Sequence, residues 1–137
     1  MLNHDIMEAL INIDVPDLEA GVAFYQNALG LTCSRMLFEG SVAELSGASL
    51  RLLLLQKNPG SSAVPCASLP RDYHRHWTPV HLDFAVTHIE RAAAQAVAAG
   101  AVLEGPIQDF EWGRQACLAD PFGHGFCLLE WRNGGYR

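Results

Sequence analysis

The sequence predicts an α+β fold of paired βαβββ modules, whose eight strands form one mixed sheet curled into an open cup. Three observations predict it. The alternating apolar pattern of residues 9–15 returns in residues 80–86, 71 positions on. The apolar run of residues 52–56 returns in residues 126–130, 74 positions on. Between its outer strands each half carries a helical stretch that stops at a glycine, Gly30 in the first and Gly100 in the second.

In chain order, residues 8–14 alternate apolar and polar side chains and form the first strand. Pro16 blocks upstream extension of the helix that follows. Asp17 opens that helix, 17–28, because its carboxylate accepts from free N–H groups and meets the positive end of the helix dipole. Leu18, Val22, Tyr25 and Leu29 fall on one stripe, with Phe24 and Ala28 at its edge. That stripe packs on the sheet. Strands 31–38, 41–46 and 50–56 complete the first half.

The second half repeats the order. Strand 79–86 leads to an alanine-rich helix, 88–99, with Ile89, Ala93 and Val97 facing inward. Strands 101–108, 113–119 and 125–131 follow. The expectation is a single domain over 1–137, built of modules 8–56 and 79–131 and joined by a linker, 57–78. This linker is rich in Pro, Ser and Gly, then turns polar and aromatic from Arg71 to Trp77. A connection so long is either a solvated linker or a flap over a ligand site.

Composition narrows the function classes. Half of the 137 residues are hydrophobic, enough for a packed core. Lys+Arg is 9 and Asp+Glu is 15, a net charge of −6, so the chain has no basic stripe for nucleic acid. The longest apolar run, residues 52–55, is far too short to cross a membrane. Residues 1–5 show neither a charged nor an apolar leader segment, and a cytoplasmic protein is expected. Cys33, Cys66, Cys117 and Cys127 have no CxxC spacing and read as small buried hydrophobes.

Residues that alternate along the strands line the cup. The repeat gives four equivalent wall positions: Leu10 and His81 on the opening strands, Leu53 and Cys127 on the closing strands. Asn12, Asp83, Arg51 and Leu129 share their faces. His81 and Asp83 form a carboxylate–imidazole pair suited either to a general base or to a polar anchor for a ligand. Arg51 in an apolar wall needs a partner, from Asp83, Asp14 or an anionic ligand. Trp112, in the turn before strand 113–119, can stack a flat ligand at the rim. Glu130 alternates to the other face from Leu129 and reads as a solvated edge carboxylate, and His124 as a turn residue near the surface.

The chain resembles the vicinal oxygen chelate superfamily, which includes glyoxalase, bleomycin- and fosfomycin-resistance proteins and extradiol dioxygenases. Val15-Pro16-Asp17-Leu18, Phe24-Tyr25 and Leu29-Gly30-Leu31 carry the resemblance in the first half, and Asp120-Pro121-Phe122-Gly123-His124 in the second. The pattern covers nearly the whole chain, and the family fold is paired βαβββ modules. Metal-using members place His, Glu or Gln at four wall positions, which are Leu10, Leu53, His81 and Cys127 here. Two leucines donate nothing, whereas a divalent Lewis acid needs about three or four protein ligands. His81 and Cys127 remain as metal ligands, with Asp83 or Asn12 able to add an oxygen, a set that suits zinc.

The cofactor expectation is therefore none or one divalent metal ion. The functional expectation is a protein of the glyoxalase/bleomycin-resistance kind that binds a small organic molecule in a cup-shaped cleft without a full metal site. In that reading His81 and Asp83 are the reactive pair, and Leu10, Asn12, Arg51, Leu53 and Trp112 hold the ligand. The alternative is a divalent-metal-dependent lyase or isomerase, or an extradiol-type dioxygenase. The expected partners are a small molecule and a second copy of the chain in a homodimer.

Overall fold

The computed structural model of the chain describes residues 7–65 and 69–136. The leader reading of residues 1–5 and the reading of Cys66 lie outside the described residues. The first half runs β1 (Leu10–Val15), α1 (Leu18–Leu29), β2 (Thr32–Leu37), β3 (Val42–Ser46) and β4 (Arg51–Gln56). The second runs β5 (Leu82–Ala85), α2 (Ile89–Ala98), β6 (Val102–Leu103), β7 (Gln108–Asp109), β8 (Gly113–Ala119) and β9 (Gly125–Trp131).

The halves share a topology. Sheet order is β1-β4-β3-β2 in one and β5-β9-β8-β6 in the other, with β7 also on β8. In each, the opening strand pairs in parallel with the closing strand, β1 with β4 and β5 with β9. The single eight-stranded sheet of the sequence reading is corrected on two counts. There are two sheets, of four and five strands, and among the described residues no strand pairing joins them. The expected strand 101–108 is split into β6 and β7. Gly105, at φ 112°, turns the chain out of the extended region, and Pro106 has no N–H to give the ladder.

Helix α1 starts and stops on local signals. Asp17 accepts from the Ala20 N–H at 3.3 Å, and Gly30 closes α1 in the left-handed region at φ 70°. His88 precedes α2 without a side-chain cap. The closing strand supplies that function instead: Glu130 Oε1 accepts from the Ile89 N–H at 2.9 Å. Gln56 Oε1 does the same for the Leu18 N–H of α1, also at 2.9 Å. Gln56 and Glu130 are 74 residues apart, so the repeat extends to how each half ties its helix to its sheet. Glu130 is thus a helix cap and not the solvated carboxylate expected from alternation.

Asp17→Ala is expected to lower folding stability by about 0.5–1 kcal/mol in urea unfolding, since only one exposed cap bond is lost. A variant as stable as the parent would mean that Gln56 alone holds the helix start.

The helices pack against each other and against their own sheets. Ile13 and Val15, Ala43 and Leu45, Leu52 and Leu54 face α1, and Ala116, Leu118, Phe126 and Leu128 supply the second sheet's share of the core. In α2 the buried residues are Ile89, Ala93 and Ala96, while Val97 turns outward and is 45% exposed. Phe24 meets Phe122 and Phe126 edge-on, at 6.4 and 6.5 Å between ring centres. The Tyr25 hydroxyl donates to Asp120 Oδ2 at 2.5 Å, across 95 residues of sequence. Asp120 is 4% exposed, and its Oδ1 also accepts from the N–H groups of Phe122 and His124 at 2.8 and 2.9 Å. One buried carboxylate therefore shapes the Asp-Pro-x-Gly turn and fastens it to α1.

No helix among the described residues is long and apolar enough to cross a membrane.

Candidate functional site

Strand register decides which side chains leave the core. Leu10 lies opposite Arg51, and Leu53 lies between Asn12 and Glu44, so all five share the sheet face away from α1. Leu52 and Leu54, one step out of phase, are buried against that helix. In the second module Cys127 lies between Asp83 and Cys117 on the corresponding face.

Three expected site residues come together there. His81, just ahead of β5, brings Nε2 to 3.2 Å from Asp83 Oδ1. The ligand-bearing atoms of His81, Asp83 and Cys127 all lie within 4.8 Å of one another. The two polar side chains remain more than a third exposed, while Cys127 is buried. Its sulfur lies 3.6 Å from Cys117 Sγ and accepts from the Gln115 amide at 3.6 Å. Burial foremost, then the neighbouring Cys117 and the charge of Asp83, push the Cys127 thiol up to about 12, against the opposing pull of Gln115. At neutral pH it is a protonated thiol and a poor nucleophile.

The segment after residue 57 covers this corner. Trp77 meets the His81 ring edge-on at 5.5 Å and lies flat over Gly125, where a Cβ would stand 2.7 Å from the indole. Only glycine leaves room for that ring. The Arg75 guanidinium sits 4.6 Å above Trp77 and pairs with Glu104, whose carboxyl it holds below its ordinary range. Arg71 reaches across to Asp14, with Nε 2.7 Å from Oδ2.

A cleft of about 490 Å³ opens between β1 and β5. Its polar lining includes Asn12, Asp14, His76, His81 and His124, over an apolar floor that includes Ile13 and Phe84. Carbonyl acceptors determine two of the three imidazole tautomers. His124 Nε2 donates to the Asp14 carbonyl at 2.7 Å, and His76 Nδ1 donates to the His74 carbonyl at 2.8 Å. When neutral, each ring therefore keeps its other nitrogen as an acceptor. The two rings meet edge-on at 5.3 Å. Sequence reading missed His76 and placed His124 in a surface turn. The polar, aromatic run from Arg71 to Trp77 was the signal that could have raised the first.

The other expected residues are placed as follows. Arg51 pairs with Glu44 at 2.7 Å and Glu8 at 3.1 Å, and not with Asp83 or Asp14. The guanidinium of Arg51, followed by that of Arg35, holds the Glu44 carboxyl down to about 2. The partner comes from β3, the ladder neighbour of β4, which periodicity along β4 cannot reveal. Leu10 is 43% exposed opposite Arg51, and Leu53 is half-buried. Trp112 stacks on Phe110 at 5.3 Å and meets Trp131 and Tyr136 edge-on, and it is not among the residues lining the cleft.

Residues 10–129 match the family model described as a glyoxalase-like domain. Among solved structures, the chain is similar to the fosfomycin resistance protein FosX of Listeria monocytogenes, at 20% identity and TM-score 0.68, covering 93% of this chain and 95% of that one. It is similar to a glyoxalase/bleomycin resistance protein/dioxygenase family enzyme of Burkholderia phytofirmans, at 20% identity and TM-score 0.67, covering 90% and 97%. A glyoxalase-related enzyme of Fulvimarina pelagi matches at 18% identity and TM-score 0.67, covering 90% and 88%. At these identities the likeness is one of fold. Comparison with curated proteins finds no match.

Proposed function

Because the chain belongs to the glyoxalase-like domain family of the vicinal oxygen chelate superfamily, we propose that it binds a small organic molecule in the cleft between its two modules. The observation that carries this reading is the cleft itself. At about 490 Å³ it has the volume of an ordinary small-molecule site, and it combines an apolar floor with a few converging polar groups. Apolar surface of the ligand would be buried on Ile13, Phe84 and Phe126. Asn12 and the histidines would orient its polar atoms, with His76 and His124 offering acceptors on the nitrogens left free by their carbonyl bonds.

The metal centre that the family implies does not fit these residues at its four wall positions. Leu10 and Leu53 carry no donor atom, which leaves His81 and Cys127. Binding by sequestration is therefore favoured over metal-centred lyase or dioxygenase chemistry. The second reading, a metal-dependent enzyme, is favoured by one observation, the approach of Asp83 to His81 and Cys127. Both readings keep a cytoplasmic protein, in which Cys117 and Cys127 stay reduced, and a homodimer.

Thermal-shift screening of the parent against small organic compounds tests the reading. A ligand at a hundred times its Kd adds about 2.7 kcal/mol of stability. His81→Ala should fold normally, since the side chain is 39% exposed, and should lose most of that gain. Equal ligand stabilisation of parent and variant would remove His81 from the site.

A further inference from the structure

Cys117 and Cys127 lie directly opposite each other on β8 and β9, and neither lines the cleft. We propose that this pair is a reversible oxidation site, which closes to a cross-strand disulfide when a hydroperoxide reaches Cys117 and opens again with a dithiol reductant. The proposal does not depend on what the cleft holds.

The ladder carries the argument. The Cys117 carbonyl accepts from the Glu104 N–H at 2.8 Å, on the β6 side of β8. The Trp112 carbonyl accepts from the Arg132 N–H at 2.9 Å, on the β9 side. Backbone groups alternate between the two sides of a strand, so those of residue 117 point away from β9. Cys117 and Cys127 are therefore a non-hydrogen-bonded pair of the antiparallel ladder. Such pairs bring Cα atoms to about 4.5 Å and side chains closest together, within the range of about 4.4–6.8 Å that a disulfide spans. The two Sγ atoms already lie 3.6 Å apart. A bond of about 2.05 Å needs side-chain rotation and no change of register.

Exposure sets the order of events. Cys117 is half-buried, whereas Cys127 is 2% exposed. The Cys117 sulfur attacks one peroxide oxygen. An S–O bond forms, the O–O bond breaks, and the thiol proton leaves with the departing oxygen as water. The Cys127 sulfur then attacks the Cys117 sulfur. The S–S bond forms, the S–O bond breaks, and the hydroxyl leaves with the Cys127 proton as a second water. Two thiols thus give two electrons to one hydrogen peroxide. Cys127 is a poor nucleophile in itself, and its fixed place beside Cys117 compensates. A reducing compartment keeps the pair as thiols at rest, and disulfides formed there are transient and redox-sensing.

Hydrogen peroxide treatment of the full, reduced chain at neutral pH tests the proposal. Residues 115–132 contain both cysteines and, before Arg132, neither Lys nor Arg, so one tryptic peptide reports on the pair. That peptide should lose two hydrogens and stop taking up iodoacetamide, and dithiothreitol should reverse both changes. Closure should outpace the loss of free Cys33 at least about tenfold. Cys127→Ser should stop at a sulfenic acid on Cys117, which dimedone captures. Cys117→Ser should slow the oxidation of Cys127 at least about tenfold. A peptide 115–132 that keeps both thiols while Cys33 is oxidised would overturn the proposal. So would one that gains oxygen without losing two hydrogens, a disulfide from Cys117 to any cysteine other than Cys127, or Cys127 oxidised equally fast in Cys117→Ser.

Discussion

Asp120→Ala is expected to lower folding stability by about 3–5 kcal/mol, a large fraction of what a domain of this size possesses. The carboxylate is buried and accepts from the Tyr25 hydroxyl and from two backbone N–H groups. Alanine leaves all three donors without that acceptor. Tyr25→Phe removes one charge-assisted bond and should cost less, about 1.5–3 kcal/mol. Urea unfolding of both single variants and the double variant checks the pair. Additive losses would mean that the bond does not couple α1 to the turn.

The same pair imposes a pH dependence. Burial first, and then the charge of Asp120, push the Tyr25 hydroxyl well above its ordinary value of 10.0. Unfolded tyrosine loses its proton near pH 10 while the folded protein keeps it. This contribution is therefore whole below pH 10 and is lost as the pH rises beyond it. Cys127, raised from 9.0 to about 12, acts in the same direction from pH 9 upward. Stability should decline on the alkaline side, and Tyr25→Phe should flatten the part above pH 10.

Gly123→Ala is the second large effect, expected at about 3 kcal/mol or more. Gly123 has φ 94°, and a Cβ there would stand 2.4 Å from the Tyr73 carbonyl oxygen and 2.7 Å from that of His74. Both are backbone atoms, so no rotamer change relieves the overlap. The segment carrying Tyr73 to His76 must shift, and the His76 N–H bond to the Gly123 carbonyl, 3.0 Å long, goes with it. Protease cleavage within 57–78 and loss of ligand stabilisation should accompany the lower stability. Gly60→Ala is the control. Gly60 also has positive φ but open space around it, so its cost should stay near 1 kcal/mol. Equal protease resistance of Gly123→Ala and the parent would show that this contact does not hold the segment.

Much of the fold is legible in the residues because its signals are local. Strands 113–119 and 125–131 appear with the expected bounds, and helix α1 is displaced by one residue at each end. Alternation, an N-capping aspartate and a terminal glycine act within one turn of chain or a few residues of strand. The break at Gly105 and Pro106 is equally local, but the apolar pattern that predicts strand 101–108 continues around it.

The candidate site was legible to a lesser extent. His81, Asp83 and Cys127 could be placed together by combining the repeat with alternation, since both preserve which face a residue occupies. Arg51 shows where this reasoning stops. Its face follows from alternation, but its partner Glu44 belongs to another strand, and sequence spacing carries no ladder register.

By itself, then, the sequence determined two matching modules and the faces their strands present, because helix and strand periods are properties of consecutive residues. Tertiary structure alone decided that the sheets remain two, that Glu130 caps a helix, and that His76 and His124 line the cleft between modules. Those outcomes depend on contacts between distant residues, such as Tyr25 with Asp120 and His124 with Asp14, 95 and 110 positions apart, whose energies exist only once the two halves have packed.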